Sequence, residues 1–158
     1  MSAKRRVVRE RVLQALYAYE LSHEPIEGII ETVAGDLKRQ KTSFDFAHKL
    51  ICKVVETSKE LDGLIKKRVE HWEFSRIAVI DRIVLRMGIC ELLYFDDIPP
   101  KVSINEAIEI ARAYSTEKSD KFVNGVLDSI LDDLKAEGNL KKSGRGLLEA
   151  SIRHPNPR

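Results

Sequence analysis

From Arg76 to Phe95 the apolar side chains Ile77, Val79, Ile80, Ile83, Val84, Leu85, Met87, Ile89, Leu92, Leu93, Tyr94 and Phe95 leave no wide polar face when the stretch is wound as a helix. A helix of that kind is buried on nearly every side. A membrane span is the rival reading. Arg76, Asp81, Arg82, Arg86 and Glu91 argue against it, since such charges cost about 2.5 to 3.5 kcal/mol each at mid-bilayer. The pattern therefore predicts the central helix of a soluble, all-helical domain, covered by amphipathic helices on either side.

Those helices follow in order. The first is predicted over Lys4 to Leu21, with Ser2 as a candidate N-cap and Val8, Val12, Ala15, Leu16 and Tyr19 as its buried stripe. Its other face carries Arg6, Glu10, Gln14 and Tyr17, groups suited to phosphates and base edges or, alternatively, to a plain solvated surface. Pro25 opens a second helix, Ile26 to Arg39. A third, capped by Thr42 or Ser43, buries Phe44, Ala47, Leu50, Ile51, Val54 and Val55, and its pattern continues to Val69 with a break expected at Asp62-Gly63. Lys49, Lys53, Lys66, Lys67 and Arg68 read as its solvated face. Trp72 reads as an apolar plug in the turn before the central helix. Pro99-Pro100 interrupts the chain, and Ser103 to Glu106 has the form of a capping box opening a helix to Tyr114. The last helix runs from Ser119 or Asp120 to Glu137, with Gly138 as its C-cap. Helical spacing from Phe122 to Leu134 carries through Asn124-Gly125, where glycine costs about 1 kcal/mol against alanine. Close approach of another backbone or of a ligand would account for it.

Composition sharpens this picture. With 43% hydrophobic and 33% charged residues in 158, the chain holds enough apolar material for one core. Net charge is only +2, but Lys4, Arg5, Arg6, Arg9 and Arg11 against Glu10 give the first eleven residues +4. Lys141, Lys142, Arg145, Arg153 and Arg158 against Glu149 give residues 139–158 another +4, so the body between them is acidic at −6. Residues 1–138 read as a single domain and 139–158 as a basic, flexible tail. Cys52 and Cys90 lie within helical patterns without metal-ligand spacing, which points to reduced core thiols. No apolar run follows the basic N-terminus as a signal peptide requires, so a cytoplasmic protein is expected. His23, His48, His71 and His154 show no metal spacing, and there is no phosphate-cradling glycine loop, GxSxG or HExxH. The expectation is a protein that is not an enzyme, with no cofactor and no metal.

The segments RERVLQALYAYEL, RIAVIDRIVLRMGICELLYF and KVSINEAIEIARAYSTEKSDKFVNGVLDSI together resemble the NusB transcription antitermination family, over residues 4 to 134. The resemblance implies about seven helices in two three-helix bundles. It also implies a non-catalytic adaptor that pairs with NusE, the small-subunit ribosomal protein S10. Together they would bind single-stranded boxA RNA of nascent ribosomal RNA transcripts within the RNA polymerase antitermination complex. Carried over by position, the RNA-facing residues are Lys4, Arg5, Arg6, Arg9, Gln14, Tyr17, Lys101, Lys121, Phe122, Asn124 and Gly125. The NusE contact falls on the central helix at Asp81, Arg82 and Leu85. The arginine cluster is interrupted here by Val7 and Val8, and the tail after Leu140 has no counterpart.

Two other classes compete. One is a stand-alone RNA-binding module related to the N-terminal domain of ribosomal RNA cytosine methyltransferases; this chain has neither the length nor the glycine motif for the catalytic domain. The other is a helix-turn-helix DNA regulator over Ser103 to Ile130, disfavoured because Asp128, Asp132 and Asp133 load the last helix with acid. Monomer and homodimer are equally compatible with the sequence.

Overall fold

The computed structural model describes residues 4–147, except for the side chains of His71 and Trp72. The readings of Ser2 as a cap, of Trp72 as a plug and of the tail beyond Leu147 lie outside the described residues. The helices are α1 (Arg5–Ser22), α2 (Ile26–Ala34), α3 (Lys41–Glu56), α4 (Ser58–Lys66), the single turn α5 (His71–Phe74), α6 (Val79–Tyr94), α7 (Pro100–Tyr114) and α8 (Ser119–Ala136). Short 3-10 turns occupy Gly35–Arg39 and Gly144–Leu147, and no strand occurs among the described residues. Setting the one-turn α5 aside, this is the expected all-α arrangement of seven helices.

Three helices, α1, α2 and α3, pack on one another, and α6, α7 and α8 form a second trio. Helix α6 joins the two, because it also lies against α1, α3 and α4. Its side chains explain why it can: Ile83, Val84, Leu85, Met87, Ile89, Cys90 and Leu92 are all buried. Each such aliphatic chain removed from water contributes about 1.5 to 3 kcal/mol before chain entropy is counted. At Gly88 a Cβ would come 2.9 Å from Leu127 Cδ1, so glycine is what lets α8 approach α6 this closely. No described helix is long and apolar enough to cross a membrane.

Several boundaries differ from the sequence expectation, each for a local reason. The second helix ends at Ala34 and tightens into the 3-10 turn Gly35–Arg39. The break in the α3–α4 region comes at Thr57, whose hydroxyl donates to Lys53 O at 2.6 Å, and Gly63 lies inside α4. Neither Thr42 nor Ser43 caps α3, which starts at Lys41 with Ser43 buried. The central helix begins at Val79 and not at Arg76. Helix α7 begins at Pro100, where the missing N–H costs nothing, so Ser103 and Glu106 lie within it and form no capping box. Cys90 is core, but Cys52 is only half buried.

The first part of the tail is docked. Lys142 Nζ donates to Glu91 O at 3.0 Å and to Phe95 O at 2.8 Å, satisfying carbonyls at the end of α6 where a cation is favoured. Ser143 N–H donates to Asp96 O at 3.1 Å. Lys142 and Ser143 thus hold the start of the segment expected as a tail against the end of α6.

Candidate nucleic-acid interface

The basic start of α1 belongs to a helix that joins the bundles, because α1 packs on both α3 and α6. Arg5, Arg6 and Arg9 there line a groove of about 850 Å³, shared with Phe46 and Lys49 of α3, Phe95 at the end of α6, Val102 of α7, and Arg145 of the docked tail. Asp45, Asp97 and Glu106 also border it, so its positive character depends on how the cations are distributed.

The three arginines play different parts. Arg5 sets its guanidinium over the Phe46 ring, 4.0 Å from the centroid. That stack uses the face of the guanidinium, whereas a phosphate is bound by its in-plane N–H edge, so the two contacts are compatible. Burial, then the neighbouring Arg9, lowers the Arg5 pKa from its usual value. Arg6 makes a bidentate pair with Glu106 of α7 at 2.7 and 2.8 Å while its side chain stays 45% exposed. Hydrogen bonding to Glu106 raises the Arg6 pKa, and the same contact lowers that of Glu106. Arg9 is 3% exposed and donates to both oxygens of Glu91 at 2.8 and 2.7 Å. Ser103 Oγ donates to the same carboxylate at 2.7 Å. Arg9 is thus an internal ion that ties α1 to α6 and α7. Its expected role as an RNA contact is corrected by that burial, since freeing it would strand Glu91 in the core.

Phe46, Lys49, Phe95, Arg145, the acceptors Glu91 and Glu106 and the donor Ser103 are not singled out as site residues by sequence reasoning. The signal for α3 was weak but present: Phe46 and Lys49 stand three residues apart on one helix face, and Lys49 Nζ lies 4.2 Å from the Phe95 ring centroid.

A second groove of about 420 Å³ runs between α7 and α8, lined by Lys101, Ile104, Asn105, Ile108, Asn124, Asp128, Leu131 and Asp132. Lys101 borders this groove and its chain neighbour Val102 borders the first, so the opening turn of α7 separates the two. Lys121 and Gly125 are exposed on α8, whereas Phe122 leans partly against the core. A Cβ at Gly125 would meet nothing within 4 Å, so no backbone of this chain requires glycine there. Gln14 and Tyr17 are exposed farther along α1 and Lys4 precedes its first turn; none of the three lines either groove.

The residues expected to meet a protein partner are placed differently. Leu85 is fully buried by its own chain and is not available as a contact. Asp81 is 7% exposed; its Oδ2 accepts from Ser119 Oγ at 2.9 Å, while Oδ1 has no hydrogen-bond partner. The Asp81 charge on an apolar helix is therefore met by the start of α8. Arg82 is half buried and lies 3.7 Å from Glu20.

The sequence reading that no histidine has metal-ligand spacing passed over His48 and Cys52, four residues apart on α3 and close to Glu27 of α2.

Residues 6–132 match the NusB family. The chain is 48% identical over 154 residues to the transcription antitermination protein NusB of Chloroherpeton thalassium, an alignment covering 94% of this chain and 71% of that protein. Among solved structures it superimposes on T. maritima NusB with a TM-score of 0.79 at 41% identity, covering 84% of this chain and 94% of that one. It also superimposes with a TM-score of 0.71 at 26% identity, covering 82% and 96%, on a chain from a crystal structure of the antitermination factors NusB and NusE in complex with double-stranded RNA. With the family match spanning both bundles and the relatives aligned over most of their length, the chain belongs to the NusB family of transcription antitermination factors.

Proposed function

We propose that this chain is a non-catalytic adaptor that binds the single-stranded boxA element of nascent ribosomal RNA transcripts jointly with NusE, and so helps RNA polymerase read through terminators. The observation that carries the reading is the groove at the α1–α3–α7 junction, where Arg5 and Lys49 are each held over a phenylalanine ring and Arg6 stays partly exposed. Cations beside aromatic faces suit a single strand, since phosphates take the charge and splayed bases take the rings. The α7–α8 groove, with Lys101 and Asn124, extends that surface and offers an amide for a base edge. Lys121 and Gly125 border the same end of α8. The solved assembly of NusB and NusE with double-stranded RNA supports NusE and RNA as the classes of partner. In this reading NusE docks on the α6 side beside Asp81 and Arg82, with Leu85 acting from beneath as packing.

Fluorescence anisotropy of a labelled boxA-like RNA and a scrambled control, each with and without purified NusE, tests this directly. Sequence-selective binding that tightens with NusE supports the adaptor. Equal weak binding to both RNAs, unaffected by NusE, contradicts it, and preference for duplex over single-stranded RNA would relocate the site.

A further inference from the structure

Away from both grooves, where α2 packs on α3, three side chains of different chemistry converge. His48 Nε2 lies 3.3 Å from Glu27 Oε1, and Cys52 Sγ lies 3.8 Å from Glu27 Oε2 and 3.8 Å from His48 Nε2. One donor atom from each falls within 4.8 Å of both others. Around a tetrahedral zinc ion, with Zn–S about 2.3 Å and Zn–N and Zn–O about 2.0 to 2.2 Å, neighbouring donors stand roughly 3.4 to 3.6 Å apart. His48 Nε2 and Cys52 Sγ stand close to that spacing, and each meets one of the two Glu27 oxygens, so a small rotation of the exposed carboxylate brings a single oxygen to both. Helix geometry explains why: residues four apart on α3 share a face, and Glu27 reaches across from the first turn of α2. Phe44, one turn before His48, backs the imidazole with ring centroids 5.8 Å apart.

We infer that Glu27, His48 and Cys52 form a zinc-binding site, with one carboxylate oxygen, Nε2 and Sγ as three ligands and the fourth position open to water. The donor set selects the ion. Thiolate with imidazole suits a borderline-soft cation, whereas magnesium and calcium require oxygen ligands throughout. Entry is direct, since the His48 and Glu27 side chains are 40% and 68% exposed. An ordinary cysteine thiol, with a pKa of about 8.5, carries its proton at neutral pH. Binding breaks the Cys52 S–H bond as the S–Zn bond forms, and the proton passes to solvent. The ion then clasps α2 to α3 and stabilises the N-terminal trio in proportion to its binding.

The test uses the full chain, reduced and chelator-stripped, titrated with Co²⁺ as a spectroscopic probe and then with Zn²⁺. The expected result is one-to-one binding with a thiolate-to-cobalt charge-transfer band and tetrahedral ligand-field bands. Zn²⁺ should displace the cobalt, and one proton should be released per ion. Cys52→Ser abolishes the charge-transfer band, and His48→Ala and Glu27→Gln lose affinity, all with unchanged circular dichroism. Absence of the band in the native chain, or its persistence in Cys52→Ser, overturns the assignment. Should Cys52→Ser fail to fold, the exposed Glu27→Gln variant decides. A Zn²⁺-dependent rise in Tm that is lost in Glu27→Gln supports the site, and a rise of equal size in both chains overturns it.

Discussion

Arg9 and Glu91, 82 residues apart in sequence, meet in a bidentate ion pair at 2.8 and 2.7 Å with both side chains almost wholly removed from water. Ser103 completes the carboxylate's bonding, so one anion links α1, α6 and α7 directly beneath the basic groove. Such a pair is an unremarkable source of net stability but a severe loss when one partner is removed. Arg9→Ala should therefore cost about 3 to 5 kcal/mol in urea unfolding, while Arg5→Ala leaves stability nearly unchanged. Replacing both members together, Arg9→Met with Glu91→Leu, should recover most of that loss. An Arg9→Ala chain with native stability and lost RNA affinity would contradict this placement.

Glu106 predicts a pH effect. Its pairing with Arg6 depresses its pKa in the folded chain, so the stabilisation is complete above the ordinary carboxylate value of about 4.3 and is lost as the pH falls through the lower folded value. Unfolding curves from pH 7 down to pH 3 should show the native chain losing its advantage over Glu106→Gln only below about pH 4.3. Parallel curves throughout that range would mean the pair contributes nothing to folding.

Gly146 holds the docked tail in place. A Cβ there would stand 2.0 Å from Asp96 O, a backbone atom that cannot turn aside. Gly146→Ala should release the segment, seen as faster amide exchange at Ser143, whose N–H bonds to Asp96 O. Unchanged protection at Ser143 would show that the tail accommodates the methyl group.

Gly125 separates a structural from a binding role. Nothing of this chain lies near its missing side chain, so Gly125→Ala should raise stability by up to about 1 kcal/mol through helix propensity. A simultaneous fall in RNA affinity would place a ligand against α8 at this point. Raised stability with full RNA affinity would leave that glycine outside the interface.

How much of this was legible in the sequence follows from where each signal resides. The central helix was plain, since an apolar surface on all sides has one physical reading and Ile83, Val84, Leu85 and Ile89 are indeed buried. Local punctuation misled where two signals competed. Asp62-Gly63 looked like a break, but the backbone turns at Thr57, where a hydroxyl bonds back to Lys53 O. Ser103 to Glu106 has the form of a capping box, but Pro100 starts α7 a turn earlier and frees Ser103 to bond Glu91. The site was half visible. A run of arginines marks a basic helix, but which arginine is internal depends on an acid far away in the chain. Arg9 does share a face with Val12 and Leu16, a hint that a charge there needs a buried partner. The aromatic floor was hidden for the opposite reason, because Phe95 reads as an ordinary core position and Phe46 falls outside the buried stripe predicted for its helix, until the cations are seen above them.

The claim that the α1–α3 groove holds RNA phosphates is tested most directly by salt dependence. Anisotropy titrations of boxA-like RNA across a series of salt concentrations should show a slope that is shallower by about 0.7 for each phosphate that Arg5→Ala or Lys49→Ala leaves unneutralised. The same slope in the native chain and in both variants would remove the groove from the RNA site.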